Sequence, residues 1–285
     1  MAIELGPNQY GKAEIRLVRV DRAGPSHDLR DLTVSVALAG DLAGTHLTGD
    51  NAGVLPTDSQ KNTVYAFAAA HGIGQIEELG LRLARHFVDS QPAIHRARVS
   101  IEEHSWERIG PHSFERGSGE TRTAVVTADA ERSWVVCGLT GLMLLNSTGS
   151  EFRGYVKDRF TTLPETADRI LATAVTARWR YAGLDVGWSK SYVDVRGSLV
   201  SAFVETYSRS LQQTLFEMGR RVLAEHEEVA EIRLSLPNKH HFLVDLTAFG
   251  VANEGEVFLA ADRPYGLIEG TVQRDDAPPA GLAWW

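Results

Sequence analysis

Shifted on itself by 135 positions, the chain lays one helix-to-strand junction on another: Phe87 falls on Val222, and Val99-Ser100-Ile101 falls on Leu234-Ser235-Leu236. The recurrence is one of pattern rather than identity. It constrains the fold because a repeated supersecondary unit must bury the same face twice. Two halves of similar grammar also arise by coincidence, so the offset alone does not fix the architecture.

The first copy reads as a hairpin. Ala13–Val20 and Asp31–Ala39 are β-branched or alternating, and the turn-rich Arg22-Ala23-Gly24-Pro25-Ser26-His27-Asp28 separates them. Ile76, Leu79, Gly80, Leu83, Ala84 and Phe87 then follow at steps of three and four, which predicts one buried helical stripe. Arg96–Glu102 and Thr121–Thr127 complete four strands. In the second half, Ser133–Ser147 reads as strand material with glycine turns. A long helical stretch sets Val200, Val204, Tyr207, Leu211, Leu215, Met218 and Val222 on one stripe, and Glu231–Leu236 is a strand. Each half is therefore expected to be a four-stranded antiparallel sheet with helices on one face, an α+β arrangement. The boundary is placed near Ala130, giving domains 1–131 and 132–285. Such sheets keep open edges and an uncovered face, so oligomerisation is expected to shield them.

A chain of 285 residues, 43% hydrophobic and 23% charged, is globular and long enough for about two domains. Its net charge of −8, with basic residues scattered singly, argues against nucleic acid as a partner. The lone Cys137 can form no internal disulfide and no thiolate cluster, and the start Met1-Ala2-Ile3-Glu4-Leu5-Gly6-Pro7 has no signal-peptide character. The longest apolar stretch, Val135–Leu145, is too short to span a bilayer. These features predict a soluble, cytoplasmic protein with no membrane partner.

Common motifs fail. Gly72-Ile73-Gly74 lacks the third glycine of a dinucleotide loop, and Gly117-Ser118-Gly119 is better read as a turn than as a nucleophile elbow. No histidine pair has metal-ligand spacing, and His226-Glu227-Glu228 closes a helix, where a cation complements the dipole. A metal site is not expected.

Four segments remain: Gln9-Tyr10-Gly11-Lys12, the block Pro56–Thr63, the block Thr161–Arg169, and Ser235-Leu236-Pro237-Asn238-Lys239-His240-His241-Phe242. In the last, Pro237 cannot donate to a ladder, so a strand carrying it should end or bulge where Asn238, Lys239 and His240 project. Together with Ser150-Glu151-Phe152 and Gly154, these blocks resemble the urate oxidases, and the similarity runs from Asn8 to about Ile268.

The resemblance implies two tandem tunnelling-fold (T-fold) domains per chain, with sheets closing into a barrel in a homotetramer whose active sites lie between subunits. It implies cofactor-independent oxidation of urate by molecular oxygen and water to 5-hydroxyisourate and hydrogen peroxide. Carried over by position, Arg169 would hold the urate anion through its planar fork and Gln212 would clamp another edge through its amide. Read on residue type alone, Arg169 is a solvated helix charge and Gln212 a neutral helix position. Phe152 would stack on the purine with Leu211 packing nearby, although core packing also accounts for both. Thr57 and the backbone N–H of Asp58 would meet the substrate from a neighbouring subunit; Thr57 is equally an N-cap candidate. Lys12, Thr57 and His240 correspond to a proton relay, and Asn238 to the residue holding oxygen or water above the ring. His240 also reads as a strand-end surface residue.

The chain departs from the family at Phe160, where relatives often carry tyrosine, and at Gly281-Leu282-Ala283-Trp284-Trp285, which lacks a peroxisomal Ser-Lys-Leu address. Two other readings remain open: a non-catalytic purine-binding T-fold module, and a pterin-handling T-fold enzyme. The intact Lys12, Thr57, Asn238 and His240 speak against the first, and the lack of a zinc-type histidine set against the second.

Overall fold

The structure is a computed structural model that describes residues 1–117 and 119–285; Ser118, in the turn assigned to Gly117-Ser118-Gly119, lies outside the described residues. The chain forms two compact units, one of Met1–Gly138, Arg180–Ser189 and Pro278–Trp285, the other of Leu139–Trp179 and Lys190–Ala277.

In the first unit the predicted hairpin is β1 (Tyr10–Asp21) and β2 (Asp28–Gly40). A helical turn α1 (Ala43–Leu47), then α2 (Thr57–His71) and α3 (Ile76–Ser90), lead to β3 (Ile94–His104), a ribbon of β4 (Trp106–Arg108) and β5 (Phe114–Arg116), and β6 (Thr121–Asp129). The sheet order is β1-β2-β3-β6, antiparallel throughout. Ile76, Leu79, Leu83, Ala84 and Phe87 of α3 are fully buried, as their spacing predicts, and meet β3 and β6.

Two further strands, β7 (Ser133–Asn146) and β8 (Leu171–Tyr181), begin the second copy. After them come α4 (Trp188–Glu205), α5 (Leu211–Glu225), β9 (Val229–Asn238), the ribbon strands β10 (His241–Leu243) and β11 (Phe258–Ala260) around a 3-10 turn at Thr247–Phe249, and β12 (Gly266–Gln273). Here the order is β7-β8-β9-β12, with β12 antiparallel to β9.

The offset seen in the sequence is a property of the backbone. Helices α3 and α5 are both 15 residues long, and their starts, Ile76 and Leu211, stand 135 positions apart, as do Ile94 and Val229 at the starts of β3 and β9. Each helix also presses a glycine onto a strand. A Cβ on Gly80 would stand 2.6 Å from Val126 Cγ2 of β6, and one on Gly219 would stand 2.5 Å from Val272 Cγ2 of β12.

Two expectations need correction. The stripe running from Val200 to Val222 belongs to two helices, because the chain leaves α4 at Glu205 and restarts at Ser210, whose hydroxyl accepts from the Gln213 N–H and caps α5. Val204 and Tyr207 are therefore 64% and 52% exposed, whereas Leu211, Leu215, Met218 and Val222 are buried. Ser133–Asn146 is one unbroken strand rather than strand pieces divided by glycine turns; Gly141, at φ 80°, is accommodated inside it.

Candidate active site

The second unit holds a cavity of about 560 Å³ whose lining includes Phe152, Asp168, Arg169, Asn238, His240 and His241. Part of its lining comes from two irregular segments that secondary structure alone would leave loose. Phe152 and Thr166 exchange both backbone hydrogen bonds, at 2.9 and 3.1 Å. The Asp168 carboxylate accepts from the Thr148 hydroxyl at 2.8 Å and from the Gly149 N–H at 3.0 Å. Segment 148–152 is thereby tied to segment 166–168, immediately before Arg169.

Arg169 stands in the stretch leading into β8, not on a helix, which corrects the reading of it as a solvated helix charge. Its Nε donates to the buried Ser150 hydroxyl at 3.3 Å, and its guanidinium carbon lies 5.2 Å from the centre of the Phe152 ring. Among the described residues no carboxylate lies within ion-pair distance of it. Burial pulls its pKa below the ordinary arginine value, yet a guanidinium remains charged at neutral pH. Arg169 is thus a half-buried cation that lines the cavity with no carboxylate partner among the described residues.

Another part of the lining comes from the end of β9. Pro237 still pairs with Leu267 and Asn238 with Gly266, and the strand stops there, as the proline predicts. Lys239 N–H donates to the Ala172 carbonyl at 2.8 Å, and the His240 carbonyl accepts from Ala261 N–H at 2.9 Å, so the turn carrying His240 is held on both sides. The ring of His240 stacks near Phe242 at 5.8 Å. Burial first, then the charge of Arg169 and the neighbouring His241, hold its pKa below the ordinary histidine value. At neutral pH His240 is thus an uncharged ring with one nitrogen free to accept a proton.

Leu211 and Gln212 open α5. Leu211 is 2% exposed and packs in the core, while Gln212 is exposed; among the described residues neither lines the cavity. Ser150 nevertheless links Arg169 to this helix: it bridges Ser208, whose hydroxyl donates to the Ser210 carbonyl and accepts from Thr214 of α5 at 2.8 Å.

Lys12, Thr57 and Asp58 belong to the first unit. Lys12 is half-buried on β1, just before a register shift where Glu14 adopts φ 56°. Thr57 is the first residue of α2; the cap position belongs to Pro56, which makes no side-chain cap, so Thr57 does not serve as the N-cap. Its own amide and that of Asp58 are among the helix donors with no intrahelical acceptor. The Asp58 carboxylate turns back onto Lys61 and Asn62, and the Lys61 hydrogen bond above all lowers its pKa, leaving the backbone N–H as its free group.

Sequence reasoning assigned no role to Ser150 or Asp168, although both stand inside the blocks it singled out. A small hydroxyl two residues before Phe152 and an acid beside Arg169 gave the only signal. Among the described residues no group of three or more His, Cys, Asp or Glu is placed to hold a metal ion, and no helix is long and apolar enough to cross a membrane.

Fold and cavity together define a duplicated T-fold protein with a cavity that holds an arginine beside an aromatic ring. The uricase family model matches the chain twice, over residues 8–137 and 135–269. The uricase of Arthrobacter globiformis is 52% identical over 284 residues, covering 99% of this chain and 94% of the relative, and that of Dictyostelium discoideum is 39% identical over 94% of this chain and 96% of the relative. The crystal structure of the Arthrobacter globiformis uricase superposes with a TM-score of 0.97 at 50% identity, covering 100% of this chain and 99% of that one. The chain belongs to the uricase family.

Proposed function

We propose that the protein oxidises urate with molecular oxygen and water to 5-hydroxyisourate and hydrogen peroxide, one of each per urate, and needs neither metal nor organic cofactor. The observation that carries this reading is the half-buried Arg169, paired with no carboxylate among the described residues, beside the Phe152 ring in a cavity that also presents Asn238 and His240. A planar anionic purine supplies what each group lacks: negative charge and paired acceptors for the guanidinium, and a π-face for the ring.

In this reading Arg169 stabilises the further deprotonated substrate, Gln212 clamps a second edge, and Leu211 packs behind them. The electron-rich purine itself passes electrons to oxygen, forming a peroxide adduct on the ring. Hydrogen peroxide leaves, and water held by Asn238 adds to the oxidised ring. Lys12, Thr57 and His240 carry the protons between these steps. Thr57 and the Asp58 N–H reach the substrate from a neighbouring subunit of a homotetramer built from two-domain chains divided at 131/132. The net charge of −8 repels an anion at long range, so Arg169 and Lys12 must dominate within about a Debye length, roughly 8–10 Å.

The test is to mix chelator-treated protein with urate and oxygen while following urate absorbance and peroxide. Loss of urate with one peroxide per urate is expected. Binding without turnover would assign the fold to a purine-holding module instead, and no binding would remove the substrate assignment altogether.

A further inference from the structure

Tyr10 begins β1 two residues before Lys12, and Leu55 lies two residues before Thr57. The Tyr10 hydroxyl donates to the Leu55 carbonyl at 3.1 Å and accepts from the Leu55 N–H at 2.9 Å, so one oxygen closes both backbone groups of a residue 45 positions away. The contact is sealed by Gln60, a fully buried side chain one turn into α2, whose amide donates to the same Leu55 carbonyl at 3.3 Å.

The segments between this clamp and the two relay candidates are stiff. From Leu55 the chain passes through Pro56, with its ring-fixed φ of −53°, directly into Thr57. From Tyr10 it passes through Gly11, which lies so close to β2 that a Cβ there would stand 1.8 Å from the Val36 carbonyl oxygen. Beyond Lys12 the strand is pinned again, where Glu14 takes φ 56° and donates its N–H to the Ser35 hydroxyl at 2.9 Å. Lys12 thus sits between two fixed points, and bulges of this kind re-aim the side chain beside them.

We propose that Tyr10 is a positioning residue for the reaction: its hydroxyl locks the start of β1 to the entry of α2, and so sets the Lys12 amine and the Thr57 hydroxyl at a fixed separation. The proposal rests on the reading of Lys12 and Thr57 as a proton relay. Tyr10 itself touches no reacting atom in this account. It acts through Lys12, because proton transfer needs heavy atoms at hydrogen-bond distance and a misplacement of about 1 Å can cost on the order of a hundredfold in rate.

The test compares the full-length wild-type chain with Tyr10→Phe, Lys12→Met and the double variant. Urate turnover, KM and Tm are measured for each. Tyr10→Phe is expected to lower kcat about tenfold while KM stays within about twofold and Tm within a few degrees. The double variant should be no slower than Lys12→Met alone, because a clamp that acts through Lys12 has nothing left to position. Wild-type kcat in Tyr10→Phe, or a double variant slowed by the product of the two single effects, overturns the proposal. A Tm loss that accounts for the fall in kcat does so too, by assigning the hydroxyl to stability. Full turnover in Lys12→Met instead sinks the relay reading itself, an outcome separate from the failure of the clamp.

Discussion

Asp168 and Arg169 are adjacent and oppositely charged, yet the carboxylate accepts its hydrogen bonds from Thr148 and Gly149, and among the described residues the guanidinium pairs with no acid. The arrangement withholds the nearest anion from the cation. Among the described residues the one hydrogen bond of Arg169 runs from Nε to Ser150, and its guanidinium lies near the Phe152 ring.

Replacing Arg169 by Lys keeps the charge and removes the fork. A charge-assisted hydrogen bond is worth about 1.5–3 kcal/mol, so Arg169→Lys should weaken urate affinity roughly 10- to 100-fold and Arg169→Ala at least as much. Equilibrium binding of a non-reacting urate analogue measures this directly. Unaltered affinity in both variants would remove Arg169 from the substrate contact.

The depressed pKa of His240 sets a pH window. The unfolded chain takes up its proton near the ordinary histidine value of about 6.5, before the native ring does, so this residue costs the native state stability as pH falls below about 6.5. Proton acceptance by the neutral ring likewise persists below that value. An NMR titration should place the His240 ring below 6.5, and Arg169→Gln should move it upward by removing a neighbouring positive charge. A native titration at or above 6.5 contradicts the described environment.

Gly80 and Gly219 weigh helix propensity against overpacking. Alanine gains about 0.8–1.0 kcal/mol of propensity over glycine, whereas forcing a methyl into a filled core costs about 1–3 kcal/mol. At Gly80 the closest obstacle is the tip of Val126, but at Gly219 the Cβ of Val272 also stands 2.8 Å from the new methyl and cannot swing aside. Gly219→Ala should therefore destabilise more than Gly80→Ala in chemical denaturation; the reverse order would show that β12 yields more readily than β6.

Glu77 is fully buried, grips Arg122 through both carboxylate oxygens at 2.9 Å, and accepts from the Cys137 thiol at 2.9 Å. Truncating Arg122 to Ala leaves a buried charge without its main partner, a loss on the order of 3–5 kcal/mol. Burial, and then Glu77, push the Cys137 thiol well above its usual pKa. Native protein should accordingly resist thiol alkylation until it is denatured. Rapid labelling under native conditions would show that this pocket opens.

Much of this was legible from spacing. Strands and helices followed from apolar period, and the break after Pro237 followed from a missing donor. The joint between α4 and α5 was hidden because Val204 and Tyr207 continue the period of Leu211 and Leu215 without being buried; only the Ser210 cap, a polar signal, interrupts it. Periodicity was equally silent about Ser150, Asp168 and Tyr10, whose partners lie 19, 20 and 45 positions away in irregular chain. Family resemblance named the groups suited to urate, but not the ones that hold them still.

The duplicated frame was put to different uses at its two matching ends. Asn238 closes β9 in the lining of the cavity, and the residue 135 positions before it, Glu103 near the end of β3, is bonded instead to Arg30 at 2.6 Å. A carboxylate in an internal ion pair and an amide lining a cavity thus occupy equivalent addresses. At this one address the first copy keeps an internal ion pair, and the second was left at liberty to line a cavity.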